Sequence, residues 1–210
     1  MLTSCIGDDI LDDFSKPEIR ISNPIDSLAL DSNYTFEAQY FDNVGKPNTG
    51  SYTWTSGDPS VVSINNGLAL ALDSGCAYIK VQFNDGEYEV ADSVKVNVGV
   101  TTSIGIQQKI GSVYTTSSYA LQGNYTLTEE NGVLTLGLDN TYNASTALPG
   151  LYVYLSNNTT SIANAYEIGA VTTFKGTHEY IINNIGINDY SYILYFCKPF
   201  NVKVGEGIIQ

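Results

Sequence analysis

Along most of this chain apolar and polar residues alternate with a period of two, and short turn clusters interrupt the alternation. Residues 34–40 (Tyr-Thr-Phe-Glu-Ala-Gln-Tyr) read as one half-buried strand, and 77–83 and 93–98 repeat the pattern. Shorter runs at 19–21, 52–55 and 61–64 complete a first set of strands. Asp42-Asn43-Val44-Gly45-Lys46-Pro47 and Asn65-Asn66-Gly67 are the turns between them. Composition shifts to Thr, Ser, Gly and Gln over 99–108, a short linker or a first edge strand, and the pattern restarts at Ile110. Runs at 119–127, 133–138, 151–156, 165–173, 179–182 and 192–197 predict roughly six to eight further strands. No amphipathic helix of any length is visible. The expectation is an all-β chain: a tether over 1–16, a β-sandwich over 17–99 and a second β-sandwich or jelly-roll-like unit over 100–210.

Composition agrees. The chain has 210 residues, enough to bury a core in each half without disulfide staples. Beta-branched and aromatic residues favour the pleated surface, while Gly and Asn supply turns. Net charge is -13, and the few lysines and arginines are scattered. Nucleic-acid binding rests on phosphate neutralisation, so no nucleic-acid partner is expected. The acidity reads as solubility and self-repulsion, with calcium or a basic partner as the alternative.

Leu2-Thr3-Ser4-Cys5 fits a bacterial lipobox, in which the cysteine takes the lipid after cleavage, and an acidic stretch over 6–14 follows as a tether. Neither a basic n-region nor an apolar h-region precedes Cys5, so the leader such a motif needs would lie upstream. The expectation is an exported lipoprotein, periplasmic or at the cell surface, anchored to the membrane through Cys5; the alternative is a cytosolic protein with an incidental cysteine. Asn-x-Ser/Thr triplets at Asn33, Asn124, Asn143, Asn157 and Asn158 are discounted as chance products of this composition. Two further cysteines, Cys76 and Cys197, are expected to be buried rather than bridged.

Two resemblances follow from particular residues. Trp54-Thr55-Ser56-Gly57-Asp58-Pro59-Ser60-Val61, then Gly67, Ala71 and Gly75-Cys76-Ala77-Tyr78-Ile79, resemble the bacterial Ig-like domain of group two. That resemblance implies a spacer or adhesive module, with Trp54 as its core aromatic. Gly123-Asn124-Tyr125-Thr126-Leu127, Leu148 to Leu155, Phe174 to Tyr180 and Ile193 to Val202 are similar to the DM-thirteen domain, which often sits beside DOMON domains. The chain departs from that family at Leu148-Pro149-Gly150-Leu151, where a carboxylate is usual. Together these resemble a lipoprotein of the Bacteroidetes type. The second resemblance implies redox or electron-transfer chemistry at one cysteine, here Cys197.

From the residues themselves, Cys197 shares strand parity with Ile193 and Tyr195, an inward face, and Lys198 falls on the opposite one. Cys197 is therefore either a buried core residue or a redox thiol. His178, the only histidine, reads as an exposed polar residue after a Gly176-Thr177 turn, with Glu179 pointing away. With one histidine, and one methionine placed before the lipobox, no Ser-His-Asp set and no His/Met haem site can be built. The acidic residues are dispersed, so no glycosidase pair stands out. No catalytic residue, metal site or cofactor is legible. The functional expectation is a non-enzymatic binding or structural module with a protein or glycan partner. Redox chemistry at Cys197 and carbohydrate binding on aligned exposed aromatics are the alternatives.

Overall fold

A computed structural model describes residues 13–209. The first ten strands are β1 Glu18–Ile21, β2 Ser27–Ala29, β3 Asn33–Thr35, β4 Ala38–Phe41, β5 Pro47–Asn48, β6 Thr53–Ser56, β7 Val62–Asn65, β8 Leu68–Ala71, β9 Gly75–Asn84 and β10 Glu89–Gly99. The remainder are β11 Gln107–Thr115, β12 Leu121–Glu130, β13 Val133–Leu138, β14 Asn143–Ala144, β15 Leu151–Ser156, β16 Tyr166–Ala170, β17 His178–Asn183, β18 Tyr192–Cys197 and β19 Val202–Ile208. The one helical piece among the described residues is a single 3-10 turn at Lys198–Phe200, and no helix there is long and apolar enough to cross a membrane. The all-β expectation holds.

The first ten strands form three small sheets, in the orders β1-β4-β5, β2-β10-β9-β6 and β3-β8-β7. All pairings are antiparallel except the three-residue contact of β2 with the end of β10. Alternation drives the packing. In β9, Ala77, Ile79 and Val81 point inward while Tyr78 faces solvent. They meet Ile19, Ile21, Leu28, Val62 and Val96 in one core, with Trp54 half-buried against it beside Phe36.

The run 34–40 is not one strand. Tyr34 belongs to β3, paired with β8, and Tyr40 to β4, paired with β1. Between them the Phe36 amide donates to the Gly67 carbonyl and the Glu37 amide to Asn23 Oδ1. The chain thus changes sheet without breaking its in/out alternation, which is why the pattern hides the crossing.

From β11 onward the strands form a single curled antiparallel sheet, ordered β16-β15-β18-β19-β11-β12-β13-β17, with β14 added on β12. Its two ends are drawn together by the segment 171–176. The Val171 amide donates to Leu151 O, and Phe174 O accepts from the Ala144 amide. The inner face carries Leu121, Tyr125, Leu127, Leu134, Leu136, Leu138, Val153, Leu155 and Ile193. Strand β18 is buried on both faces, because the loop holding Ile162 and Ala165 covers Leu194, Phe196 and Tyr154 on the outside. Sequence reading missed β19, whose glycines at 205 and 207 dilute the strand pattern.

One glycine seats the interior. Gly123 in β12 has φ +150°, and a Cβ there would stand 2.7 Å from the Cα of Tyr142. Gly123→Ala is expected to lower stability by about 2 kcal/mol, through backbone strain and overpacking together. A urea titration measures this; an unchanged midpoint would contradict it.

Candidate functional site

The sequence-predicted candidate, Cys197, ends β18 on the inner face. Its register partners are Leu151 in β15 and Val202 in β19, and only 1 % of it is exposed. Lys198 leaves the strand, places its Nζ 2.7 Å from Glu167 Oε2 and lies over the Tyr152 ring, so its charge is engaged at the surface. Cys76 departs from expectation: it is free and exposed, at the open start of β9. Cys197 is likewise unbridged. Cys5 lies outside the described residues.

His178 also departs from expectation. It opens β17 on the inner face, with Tyr180 and Ile182 on the same side, and Glu179 points out to solvent. Its ring meets Tyr142 at 4.6 Å between centroids and Tyr180 at 5.3 Å. Tyr195 on β18 completes the group, 6.2 Å from Tyr142. Tyr142 and Tyr195 are fully buried. Burial raises the pKa of both phenols, and a hydrogen bond between them lowers that of Tyr142 and raises that of Tyr195. Among the described residues no three of His, Cys, Asp and Glu meet where a metal could bind.

A second feature was invisible in the sequence. The two halves meet across a polar junction built by Asn157 and Asn158, the residues that follow β15. Asn157 Oδ1 accepts from Arg20 Nη2 at 2.6 Å and from the Ser191 amide at 3.0 Å. Its Nδ2 donates to Asp189 O, and its backbone carbonyl accepts from Ser15 Oγ at 2.9 Å. Asn158 Nδ2 donates to the carbonyls of Asp13 and Val44. Ser191 Oγ donates to Glu18, and Asn188 Nδ2 to Ile21 O at 3.1 Å. Gly45 (φ +74°) lies so close that a Cβ would fall 2.2 Å from Asn157 O. Two of the discounted triplets, those at Asn157 and Asn158, are thus structural, with side chains buried in the junction.

Arg20 is the centre of this junction. Its side chain is 12 % exposed, sits 4.0 Å over the Phe41 ring, donates to Asp189 O at 3.1 Å and is 3.7 Å from Glu18. Burial pulls its pKa down, and the carboxylates of Glu18, Asp189 and Asp92 oppose that pull. Lys109 enters from β11, donating to Ile187 O at 3.3 Å. Burial and then Arg20 push its pKa down, against Asp92 and Glu18.

Two clefts flank the junction. One of about 440 Å³ is lined by Gln39, Phe41, Asn157, Asn188, Asp189 and Tyr190. The other, of about 780 Å³, is lined by Tyr34, Ile104, Ile106, Glu129, Glu130 and Ile187. Both draw walls from each half, the usual setting for a ligand. Of the exposed aromatics among the described residues, Tyr78 lies in β9 and Tyr114 in β11, on different sheets.

No protein-family model and no curated protein matches the chain. Among solved structures it is similar to the S-layer protein rSbsC(31-844), with a TM-score of 0.31 and 16 % identity over 94 % of this chain and 40 % of that one. It is likewise similar to domains 1-6 of surface layer protein SbsC, with a TM-score of 0.31 and 15 % identity over the same shares. The chain thus spans about 40 % of the length of these structures. A likeness at this TM-score fixes neither topology nor function.

Two predictions follow from this geometry. Arg20→Met removes the charge while keeping an apolar stem over Phe41. It should cost about 3 kcal/mol, the low end for a broken buried pair because Glu18 is 37 % exposed. Denaturant unfolding measures it, and a loss below about 0.5 kcal/mol, the range of ordinary surface changes, would contradict it. The second prediction concerns alkali. Burial pushes the phenols of Tyr142 and Tyr195 well above their ordinary value and that of Tyr180 to about 12. The folded chain keeps these protons, whereas the unfolded chain loses them near pH 10. Their contribution to stability is complete below about pH 10 and is lost as pH rises from there toward the folded values. Tyrosinate absorbance should therefore show a late step coincident with unfolding. A single smooth titration of all 16 tyrosines near pH 10 would contradict this.

Proposed function

We propose that the chain is an exported cell-envelope lipoprotein, held to the membrane through Cys5, whose body is a non-enzymatic structural or binding module. The observation that carries the module reading is the polar clasp of Arg20, Asn157 and Asn158, which fixes the two halves against each other. A hinge between mobile parts would leave few contacts across the join; here buried side chains and backbone carbonyls are tied on both sides. Such a body suits a spacer that holds a recognition surface away from a membrane. The clefts beside the clasp are the place we assign to a protein or glycan partner. Residues 17–99 serve as the Ig-like spacer in this reading and 100–210 as the DM-thirteen-like part.

The burial of Cys197 between Leu151 and Val202 supports a core role over thiol chemistry, because a reactive thiol needs access and a nearby free cation. Alkylation of the native protein separates the two readings. Cys76 is expected to label quickly and Cys197 only after unfolding. Rapid labelling of Cys197 in the folded state would instead favour redox function. For the anchor, palmitate incorporation in a bacterial host should vanish in Cys5→Ala, and persistence of the label in that variant would remove the lipoprotein assignment.

A further inference from the structure

Of the two clefts beside the clasp, the larger, of about 780 Å³, has one apolar wall and one acidic wall. The segment between β10 and β11 contributes Ile104 and Ile106, and Ile187 and Tyr34 stand with them. The β12–β13 hairpin supplies Glu129 and Glu130. Among the described residues no lysine, arginine or histidine lines the cleft. Ile104 is 60 % exposed and Ile106 68 %, so the apolar wall is uncovered in the isolated chain.

These are not the side chains of a loose linker. The Ser103 amide donates to Ser27 O, and the Ser103 carbonyl accepts from the amides of Asp26 and Ser27. Gly105 lies so close to Asp26 that a Cβ would collide with its carboxylate. From Gln107 the chain is already strand β11, paired with β12. Both isoleucines are thus held out by a backbone fixed on either side of them. Apolar side chains gathered in one cleft and rimmed by polar residues mark an interaction site, unlike single exposed residues scattered over a surface.

The acidic wall is positioned too. Glu129 Oε2 accepts from the Ile187 amide at 2.7 Å, which holds that carboxylate beside an apolar side chain. The Glu130 carboxylate has neither a hydrogen bond nor an ion pair among the described residues. Lys109 also reaches Ile187, at its carbonyl, but the carboxylates that act on it are Asp92 and Glu18 of the junction. Charge narrows the occupant. A second copy of this chain carries net charge -13 and is repelled. The chain's own acidic segment over 6–14, with Asp8, Asp9, Asp12 and Asp13, is repelled for the same reason. Two carboxylates facing isoleucines, with no cation among them, are complementary to a cationic side chain whose neighbours are apolar.

We infer that this cleft docks an extended segment of another protein in which lysine or arginine stands beside apolar residues. Its apolar side chains lie against Ile104, Ile106 and Ile187, and its cation sits at Glu129 and Glu130. Apolar burial supplies affinity, while the carboxylates select the sign of the charge. The inference rests on the reading of the body as a binding module and names the partner's chemistry for one of its two clefts.

The test uses the full chain carrying Cys5→Ala and three dye-labelled peptides, Ile-Lys-Val-Lys-Leu and its versions with glutamine or glutamate in place of lysine. Binding is read by fluorescence anisotropy. The lysine peptide should bind tightest, and its affinity should fall as salt rises from about 0.05 to 0.5 M. Glu129→Gln, which keeps an acceptor for the Ile187 amide, and Glu130→Gln should each weaken it about fivefold, as for a partly exposed ion pair. Ile106→Ser should weaken all three peptides, whereas Ile110→Ser, at an exposed position outside the lining, should change nothing. Equal binding of the three peptides would overturn the inference and leave a binding module. Lysine-peptide binding that survives both glutamine substitutions and Ile106→Ser would do the same. So would binding to a glycan array, lost in Ile106→Ser, with no peptide bound. Failure of peptides and glycans alike would remove the binding-module reading together with the inference.

Discussion

The described structure depends on one interaction: the side chain of Asn157, which accepts from Arg20 and from the Ser191 amide while donating to Asp189 O. Its side chain thereby ties Arg20 of the first half to Asp189 and Ser191 of the second. Arg20 is in turn held by Phe41 beneath it and Glu18 beside it. A charge this enclosed is costly unless paired; Nη2 makes the hydrogen bonds, to Asn157 and Asp189, while Nε and Nη1 are buried without one. Hydrophobic burial builds each half, but the two cores remain separate clusters. Polar chemistry therefore sets how the halves meet, and it shapes the clefts on either side.

The C-terminal half illustrates the opposite use of polar groups. Its curled sheet buries aliphatic side chains from β12, β13, β15 and β18, and Tyr142, His178, Tyr180 and Tyr195 carry polar atoms into that core. Cys197 shares the inner face with Tyr195 and is sealed by its neighbours. Burial that suits a packing cysteine is the same burial that makes an unbonded phenol costly.

What sequence could foretell follows from the range of each interaction. Alternation is local, so 77–83, 151–156 and 192–197 were legible as strands, and strand parity placed Cys197 inward. The sheet change within 34–40 was not legible, because both sheets bury the same parity. Arg20 and Asn157 are separated by 137 positions, and no local pattern marks two polar residues as partners over that distance. Asn157 and Asn158 resembled chance triplets, since Asn followed by Thr is common in turns as well as at junctions. His178 resembled a loop residue because Gly176 and Thr177 precede it, yet β17 begins at the histidine itself and turns it inward. A histidine in step with Tyr180 and Ile182 was the available signal.

The central claim is that the clasp makes the two halves one cooperative body. Each half carries its own reporter: the fluorescence of Trp54, the single tryptophan, packed against the first core, and the protection of Cys197, sealed in the second. Both can be followed along the same urea series, by emission and by pulsed alkylation of Cys197. Coincident midpoints are the predicted result, since coincidence of independent probes marks a two-state transition. Loss of Trp54 packing at a urea concentration where Cys197 remains protected, or the reverse, would show halves that fold independently and would contradict the account.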